Sequence, residues 1–249
     1  MTATMCGHAL EFNFLIVGQL GMSVPWLYVT RLGEALILLP AMAAALAWLW
    51  LGHSRTVAIR WAVAVAVAAV VTTVTKIAFL GFGVGVQAAN FTGVSGHAMF
   101  AAAVLPVLLQ LLVGGRWARP AVAFAVGVGV AAVIAVSRVA LGAHSVSESA
   151  AGLLLGWAAA WASWPSQPAP ESPAPVVSTA RRGPPALVWT LAIWALAMPV
   201  SAPPSPTHGW VVRLSLALSG RDVPFSRATA WPVPATRRAT AHHQTAQRL

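Results

Sequence analysis

Long apolar runs separated by short polar stretches occupy most of the first 200 residues. A run of about 20 mainly apolar residues is long enough to cross a bilayer as a helix. The sequence predicts six clear spanning helices, at Glu34–Leu51, Ile59–Leu80, Ala98–Val113, Ala121–Val136, Ser149–Trp164 and Ala186–Val200. A further span is predicted at Phe12–Thr30, although Asn13, Gln19 and Pro25 interrupt it. Valine and alanine alternate in several runs, but continuous apolar stretches of this length indicate helices rather than strands.

These runs predict an all-α, polytopic transmembrane helical bundle with four parts. Residues 1–165 form a core of six spans, and residues 166–185 form a linker that contains the proline-rich stretch SQPAPESPAP. An additional transmembrane helix at 186–200 follows. Residues 201–249 are basic and rich in proline, which is typical of a disordered tail. Within this tail, Trp210–Leu218 could lie on the membrane as a short amphipathic helix.

Composition agrees with a membrane protein. Of the 249 residues, 58% are hydrophobic and 8% are charged, whereas soluble domains carry roughly 25% charged residues. The formal net charge of +10 suits loops near anionic lipid. Since no basic stripe with interleaved aromatic residues occurs, no nucleic-acid partner is expected. Cys6 is the only cysteine, so an intrachain disulfide is excluded.

Arginine in the short loops predicts the orientation, because cytoplasmic loops of membrane proteins are enriched in lysine and arginine. If the spans alternate, the predicted cytoplasmic side carries Arg55, Arg60, Arg116, Arg119, Arg181 and Arg182. The loops Gly81–Gly96 and Arg138–Glu148 then meet on the outer face. We therefore expect a multi-pass protein of a bacterial-type inner membrane, with its active site facing the periplasm or exterior.

Polar side chains mark the outer ends of the predicted spans, where each costs about 2.5–3.5 kcal/mol on insertion scales and is a functional candidate. They are Lys76, Ser95, His97, Arg138, His144 and Glu148. Two cations and a Ser95-Gly96-His97 segment that leads into a helix suit a phosphate group. His144 and Glu148 are four residues apart, so the carboxylate could orient the histidine for attack on phosphorus. His97 could then protonate the leaving oxygen.

The same residues resemble the type-2 phosphatidic acid phosphatase and vanadium haloperoxidase superfamily, in its membrane-bound lipid phosphatase branch. Ser137-Arg138, five residues, His144, three residues and Glu148 resemble its third signature, SR-x5-H-x3-D. The segment Val94–His97 resembles the second signature, PSGH. Lys76 matches the lysine that opens the first, K-x6-RP.

The resemblance implies an all-helical core of six spans and hydrolysis of a lipid phosphate through a phosphohistidine. It implies that His144 is the nucleophile, that Glu148 orients it, and that His97 is the general acid. The implied phosphate ligands are Lys76, Ser95, Gly96 and Arg138. No metal or cofactor is implied, and no oligomeric state is assigned. Substrates compatible with the resemblance are phosphatidic acid, phosphatidylglycerol phosphate, polyprenyl diphosphates and lipid A phosphates.

Three departures from the signatures stand out. Glu148 replaces the usual aspartate and adds a methylene, and Val94 replaces the first proline of PSGH. In the first signature Gly83 stands in the place of the arginine and Val84 in the place of the proline. One phosphate cation is therefore missing, which predicts reduced activity or a changed range of substrates.

Two other functions compete with this interpretation. Gly93-Val94-Ser95-Gly96 fits the GxSG pattern of rhomboid-type intramembrane serine proteases, and His144 could complete a dyad with Ser95. That interpretation leaves four polar residues without a role: Lys76, His97, Arg138 and Glu148. The missing arginine at Gly83 also fits a non-catalytic, lipid-phosphate-binding member of the phosphatase superfamily.

Overall fold

The computed structural model describes residues 25–51, 55–113, 118–163 and 205–231, together with Thr190, Ile193, Trp194, Ala197 and Met198. The elements in these residues are helices, and an isolated bridge pairs Val86 with Phe91. The predicted all-helical class is therefore confirmed for the part of the chain that the structure describes.

Besides five helical positions between Thr190 and Met198, the described chain forms eight α-helices and a short 3₁₀ turn at Gln87–Ala89. They are α1 (Pro25–Arg31), α2 (Ala35–Leu51), α3 (Arg55–Phe82), α4 (Gly96–Leu112), α5 (Pro120–Ala140), α6 (Val146–Ala162), α7 (Thr207–Ser219) and α8 (Arg227–Ala230). Helices α2 to α6 each coincide with one predicted apolar run, and their ends differ from the predicted ends by a few residues.

The number of helices that can span a membrane is smaller than predicted. Among the described residues, α3 and α5 are long and apolar enough, and the bent pair α1 and α2 would add a third span if it crosses as one unit. Helices α4 and α6 have 17 residues each, or about 26 Å of helix, against a hydrocarbon core of about 30 Å. The expected six-span count is thus replaced by two or three candidate spans.

Several predicted segments fall largely outside the described residues. Of Phe12–Thr30 the structure describes 25–30, and of Ala186–Val200 it describes five helical positions. One of these, Trp194, donates its indole N–H to the Ile37 carbonyl over 3.2 Å. The linker 166–185 lies outside the described residues. Within the expected tail, residues 205–231 contain helices α7 and α8.

By chain contacts the protein divides into two compact units, and the boundary falls inside α3. The first unit contains Met1–Thr72 and Val94–Ser205, and the second contains Thr73–Gly93 and Pro206–Leu249.

In the first unit α4 is enclosed by neighbouring helices. Its residues from Ala101 to Val104 are fully buried. On α6, Gly152 and Gly156 face the α4 backbone so closely that an added Cβ would overlap it, and small residues are what allow such helix contacts in membranes. The indole N–H of Trp61, a fully buried residue, donates to the Ala103 carbonyl over 2.9 Å.

Helix α3 also carries a stripe of exposed valines. Val63, Val67, Val70 and Val74 are between 56% and 61% exposed, and their spacing places them on one helix face. A large exposed apolar face is unusual in a soluble monomer. This face is suited to contact with lipid.

In the second unit α7 packs against the end of α3. A Cβ on Gly81 would lie 2.9 Å from the Ser215 carbonyl oxygen. The Phe225 N–H donates to the Leu80 carbonyl over 2.8 Å, and the Phe79 and Trp231 rings lie 5.5 Å apart. The end of α3 is thereby covered by residues that the sequence placed in the tail.

Candidate active site

The turn between α5 and α6 holds two of the expected site residues at a fixed spacing. The backbone N–H groups of Ala143 and His144 both donate to the Arg138 carbonyl, over 3.0 and 3.2 Å. Gly142, with φ of 65°, makes the reversal, and glycine adopts this conformation without the usual steric cost. His144 is therefore attached through its backbone to the end of the helix that carries Arg138.

The side chain of His144 contacts Glu148. Its Nδ1 lies 2.8 Å from Glu148 Oε2, and the Glu148 side chain is 1% exposed while that of His144 is 16% exposed. The contact expected from their four-residue spacing is present. It orients the imidazole ring and leaves one edge of that ring facing away from the carboxylate.

Glu148 is fixed by a second set of bonds. Ser145 caps α6: its hydroxyl accepts from the Glu148 N–H over 3.3 Å, and its own N–H donates to Glu148 Oε2 over 3.1 Å. This reciprocal pair is a capping box, which the sequence S-x-x-E favours at a helix start. One carboxylate oxygen thus both caps the helix and orients the histidine.

The segment before α4 lies against the same turn of α6. The Ser95 N–H donates to the Glu148 carbonyl over 3.1 Å, and Gly152 allows the Ser95 carbonyl to pack closely. Ser95 is fully buried, and its hydroxyl has no hydrogen-bond partner among the described residues. A buried hydroxyl with unused hydrogen-bonding capacity fits a ligand site. Gly96 and His97 follow as the first residues of α4.

Arg138 is bonded to a residue that the sequence analysis did not single out. Its Nη1 donates to the Thr30 hydroxyl over 2.9 Å, while its Nε is buried without a partner among the described residues. Thr30 lies 108 positions before Arg138 in the chain, so no local sequence pattern could predict this hydrogen bond. Glu34, also near Arg138, did give a signal, because a buried acid in an apolar stretch is unusual.

Lys76 belongs to the second unit. There Gly93, with φ of 149°, packs so closely that an added Cβ would lie 3.1 Å from Lys76 Cγ. Burial and the charge of Lys76 lower the pKa of His208 at the start of α7. The sequence analysis assigned His208 no role, since its surroundings gave no motif.

Gly83 occupies the place of the missing arginine for a conformational reason. Its φ is 71°, a region that residues with a side chain adopt at a cost of about 1–2 kcal/mol. The Phe225 ring lies directly over the position that a Cβ would take, at 3.4 Å. An arginine could therefore not be introduced here without strain in this backbone.

The first unit thus brings Ser95, Arg138, His144 and Glu148 into one connected network, with Gly96 and His97 at the adjoining helix start. No group of three or more histidine, cysteine or acidic side chains suited to a metal ion occurs within the described residues. These features define a helical, apolar protein in which a histidine–carboxylate pair lies beside the N-terminus of α4. A helix N-terminus is suited to binding an anion.

Comparisons with known proteins identify the family. The family model described as the PAP2 superfamily matches residues 83–171, which include Ser95 to His97 and Arg138 to Glu148. A relative from Klebsiella pneumoniae, "Uncharacterized 22.5 kDa protein in cps region", is 34% identical over 211 residues, covering 81% of this chain and 95% of the relative. No solved structure matches the chain. The protein belongs to the PAP2 superfamily, as the signature resemblance predicted.

Proposed function

We propose that this protein is a membrane-bound phosphatase that removes phosphate from a lipid phosphomonoester or diphosphate through a phosphohistidine intermediate. The observation that carries the proposal is the 2.8 Å contact between His144 Nδ1 and Glu148 Oε2, in a member of a superfamily that generally comprises phosphatases. A carboxylate behind a histidine fixes its tautomer, so that the far nitrogen can act as a nucleophile.

The chemistry requires two displacements at phosphorus. With a proton on Nδ1 donated to Glu148, His144 Nε2 attacks phosphorus, and the bond from phosphorus to the lipid oxygen breaks. His97 gives its proton to that oxygen, which leaves as the alcohol, or as the lipid monophosphate if the substrate is a diphosphate. Water deprotonated by His97 then attacks the phosphohistidine, and inorganic phosphate and free His144 are released.

The phosphate oxygens would be held by Ser95, Gly96, Arg138 and Lys76. The Ser95 hydroxyl and Arg138 Nε are buried without a hydrogen-bond partner among the described residues, which supports the first and third assignments. The Gly96 N–H lies at the start of α4, where the helix dipole favours an anion. Lys76 is assigned as a phosphate ligand only because it matches the lysine of the first signature. Developing charge on the phosphoryl oxygens is what such groups stabilise in phosphoryl transfer.

A lipid substrate follows from where the site would lie. We propose that this is a multi-pass protein of an inner membrane, which α3, α5 and the bent pair α1 and α2 would cross. The site then opens at headgroup level on the outer face. We also propose the four parts predicted from the sequence: a core at 1–165, a linker at 166–185, an extra helix at 186–200 and a tail at 201–249.

The protease interpretation receives no support from the geometry. A serine–histidine dyad requires a hydrogen bond between the two side chains, but the Ser95 hydroxyl has no partner among the described residues.

The proposal is tested by measuring phosphate release from lipid monophosphates and diphosphates by the purified protein in detergent. Wild type is compared with His144→Ala and with His243→Ala, a control in the tail outside all three signatures. We expect release by wild type and the control, inhibition of both by vanadate, and no release by His144→Ala.

Two results would contradict the proposal. Phosphate release that persists in correctly folded His144→Ala would exclude a phosphohistidine intermediate at His144. Binding of lipid phosphates by wild type without any release would instead support the non-catalytic alternative.

A further inference from the structure

Helix α7 is too short to cross a membrane, but it packs against the end of a helix that is long enough. Its 13 residues extend about 20 Å, against about 30 Å for the hydrocarbon core. The contact of Ser215 with Gly81 attaches it to the last turn of α3. Helix α3 has 28 residues and is therefore about 42 Å long, so as a span it extends beyond the hydrocarbon into the headgroup region.

One side of α7 carries large apolar side chains that are exposed. Trp210, Leu214 and Leu218 are 57%, 47% and 60% exposed. Their spacing of four residues places them in one stripe along the helix. Ser215 is fully buried and lies about 100° around the axis from Leu214. The side of α7 that meets α3 is therefore different from the side that carries the exposed stripe.

The segment that contains α7 is basic. The charged residues between 205 and 231, apart from His208, are Arg213, Arg221, Asp222 and Arg227. Arg213 is exposed and follows Trp210 by three residues, so the two are neighbours on the helix surface. An apolar stripe that contains tryptophan and is flanked by arginine is typical of helices that lie in the interface of a membrane.

Charge distinguishes between the possible partners of this stripe. Two copies of α7 that paired through their stripes would bring the Arg213 side chains of two chains towards each other, and each chain carries a formal charge of +10. Like charges across an interface oppose association. Anionic lipid headgroups instead attract basic residues near the membrane, and α3 places α7 at headgroup level. An anionic lipid surface therefore fits both the apolar stripe and the arginine.

We infer that α7 is a lipid-binding surface: Trp210, Leu214 and Leu218 lie in the boundary between headgroups and acyl chains, and Arg213 binds anionic phospholipid headgroups. This assigns an interaction to a segment outside residues 83–171, which the family model matches. The inference rests on the membrane location in the proposed function and is independent of the phosphatase chemistry.

The test measures which positions of α7 are in contact with lipid. The full chain is placed in nanodiscs of phosphatidylcholine and phosphatidylglycerol in equal parts. Cys6, the only cysteine, is replaced by serine, and a bimane label is attached to Leu214→Cys. A nitroxide lipid labelled near the headgroup should quench this bimane at least about threefold more than a bimane at Gly209→Cys, because the stripe lies in the interface. Gly209 is the matched control, an exposed position on another side of α7 where an added Cβ meets nothing within 4 Å.

Two further labels separate the possible outcomes. Val67→Cys, in the middle of α3 and 56% exposed, should be quenched most by a nitroxide deep in the acyl chains. Leu218→Cys repeats the measurement on the stripe if Leu214→Cys fails to fold. Quenching at Val67→Cys, with no more at the stripe than at Gly209→Cys, would overturn this inference alone. No quenching at Val67→Cys would also contradict the proposed membrane location. Oxidative cross-linking of two chains through Leu214→Cys would overturn the inference in favour of a second copy.

The role of Arg213 has its own readout. Nitroxide phosphatidylglycerol and nitroxide phosphatidylcholine are compared at equal amounts in the same discs. We expect the anionic lipid to be enriched up to about fivefold around Leu214→Cys, and Arg213→Gln to remove most of this preference. Arg60→Gln, an exposed arginine near the other end of α3, should keep it. Equal quenching by the two lipids, or a preference that Arg213→Gln leaves unchanged, would overturn the assignment of Arg213.

Discussion

Replacing Glu148 by the aspartate of the family signature should impair this protein. The carboxylate would retreat by roughly one C–C bond, about 1.5 Å, so the 2.8 Å contact with His144 Nδ1 would open to about 4 Å. A separation above 3.5 Å is no longer a hydrogen bond. The start of α6 resists a compensating shift, because Ser145 caps it and the Ser95 N–H is bonded to the Glu148 carbonyl.

The expected loss follows from the bond that is broken. A hydrogen bond to a charged group contributes about 1.5–3 kcal/mol, which corresponds to a decrease in kcat of about 10- to 150-fold. The assay is phosphate release at saturating lipid phosphate, with thermal unfolding measured in parallel. Glu148→Gln is the companion variant: its amide oxygen can still accept from Ser145, but the charge is lost, so kcat should also fall while the fold persists.

The reasoning would be refuted by a Glu148→Asp variant with the kcat of wild type and an unchanged unfolding temperature. Such a result would mean that the helix start moves freely enough to restore the contact. It would also mean that the contact with His144 does not depend on the additional methylene of Glu148.

Three further predictions concern the fold. Trp61→Phe leaves the buried Ala103 carbonyl without its 2.9 Å partner and should lower the free energy of unfolding by about 1–3 kcal/mol, measured by denaturation in detergent; an unchanged midpoint would contradict it. Gly156→Leu should prevent α6 from approaching α4 at Met99, seen as loss of the monodisperse protein on size exclusion, whereas Gly129→Leu, where an added Cβ meets nothing within 4 Å, should be tolerated. Gly83→Arg should destabilise the protein by about 1–2 kcal/mol without raising phosphate release; a gain in activity would show that the signature arginine can be restored.

Local patterns predicted the helices and one contact of the site. The apolar runs located α2 to α6 because a helix in lipid needs an uninterrupted apolar segment, and the spacing of His144 and Glu148 follows from the helical repeat. These features depend on residues close together in the chain.

Other features depend on long-range packing and could not be predicted from sequence patterns. The bond from Arg138 to Thr30 joins residues 108 positions apart. The positive φ of Gly83 is set by the backbone after α3 and by Phe225. Helix α7 covers the segment Trp210–Leu218, where the sequence allowed a short amphipathic helix, but its packing against Gly81 joins distant parts of the chain. The number of spans was overestimated because the hydropathy of an apolar run does not show where the helix within it begins and ends. Helices α4 and α6 have only 17 residues each.

The central claim, that His144 carries the phosphoryl group, is tested most directly by trapping the intermediate. The full-length protein is mixed with a radiolabelled lipid phosphate and quenched in alkali, in which phosphohistidine survives, and the labelled peptide is then located by mass spectrometry. We predict a phosphoryl group on His144 in wild type, and no labelled protein for His144→Ala. Turnover of the lipid without any phosphorylated His144, or a phosphoryl group on another residue such as Ser95, would contradict the mechanism.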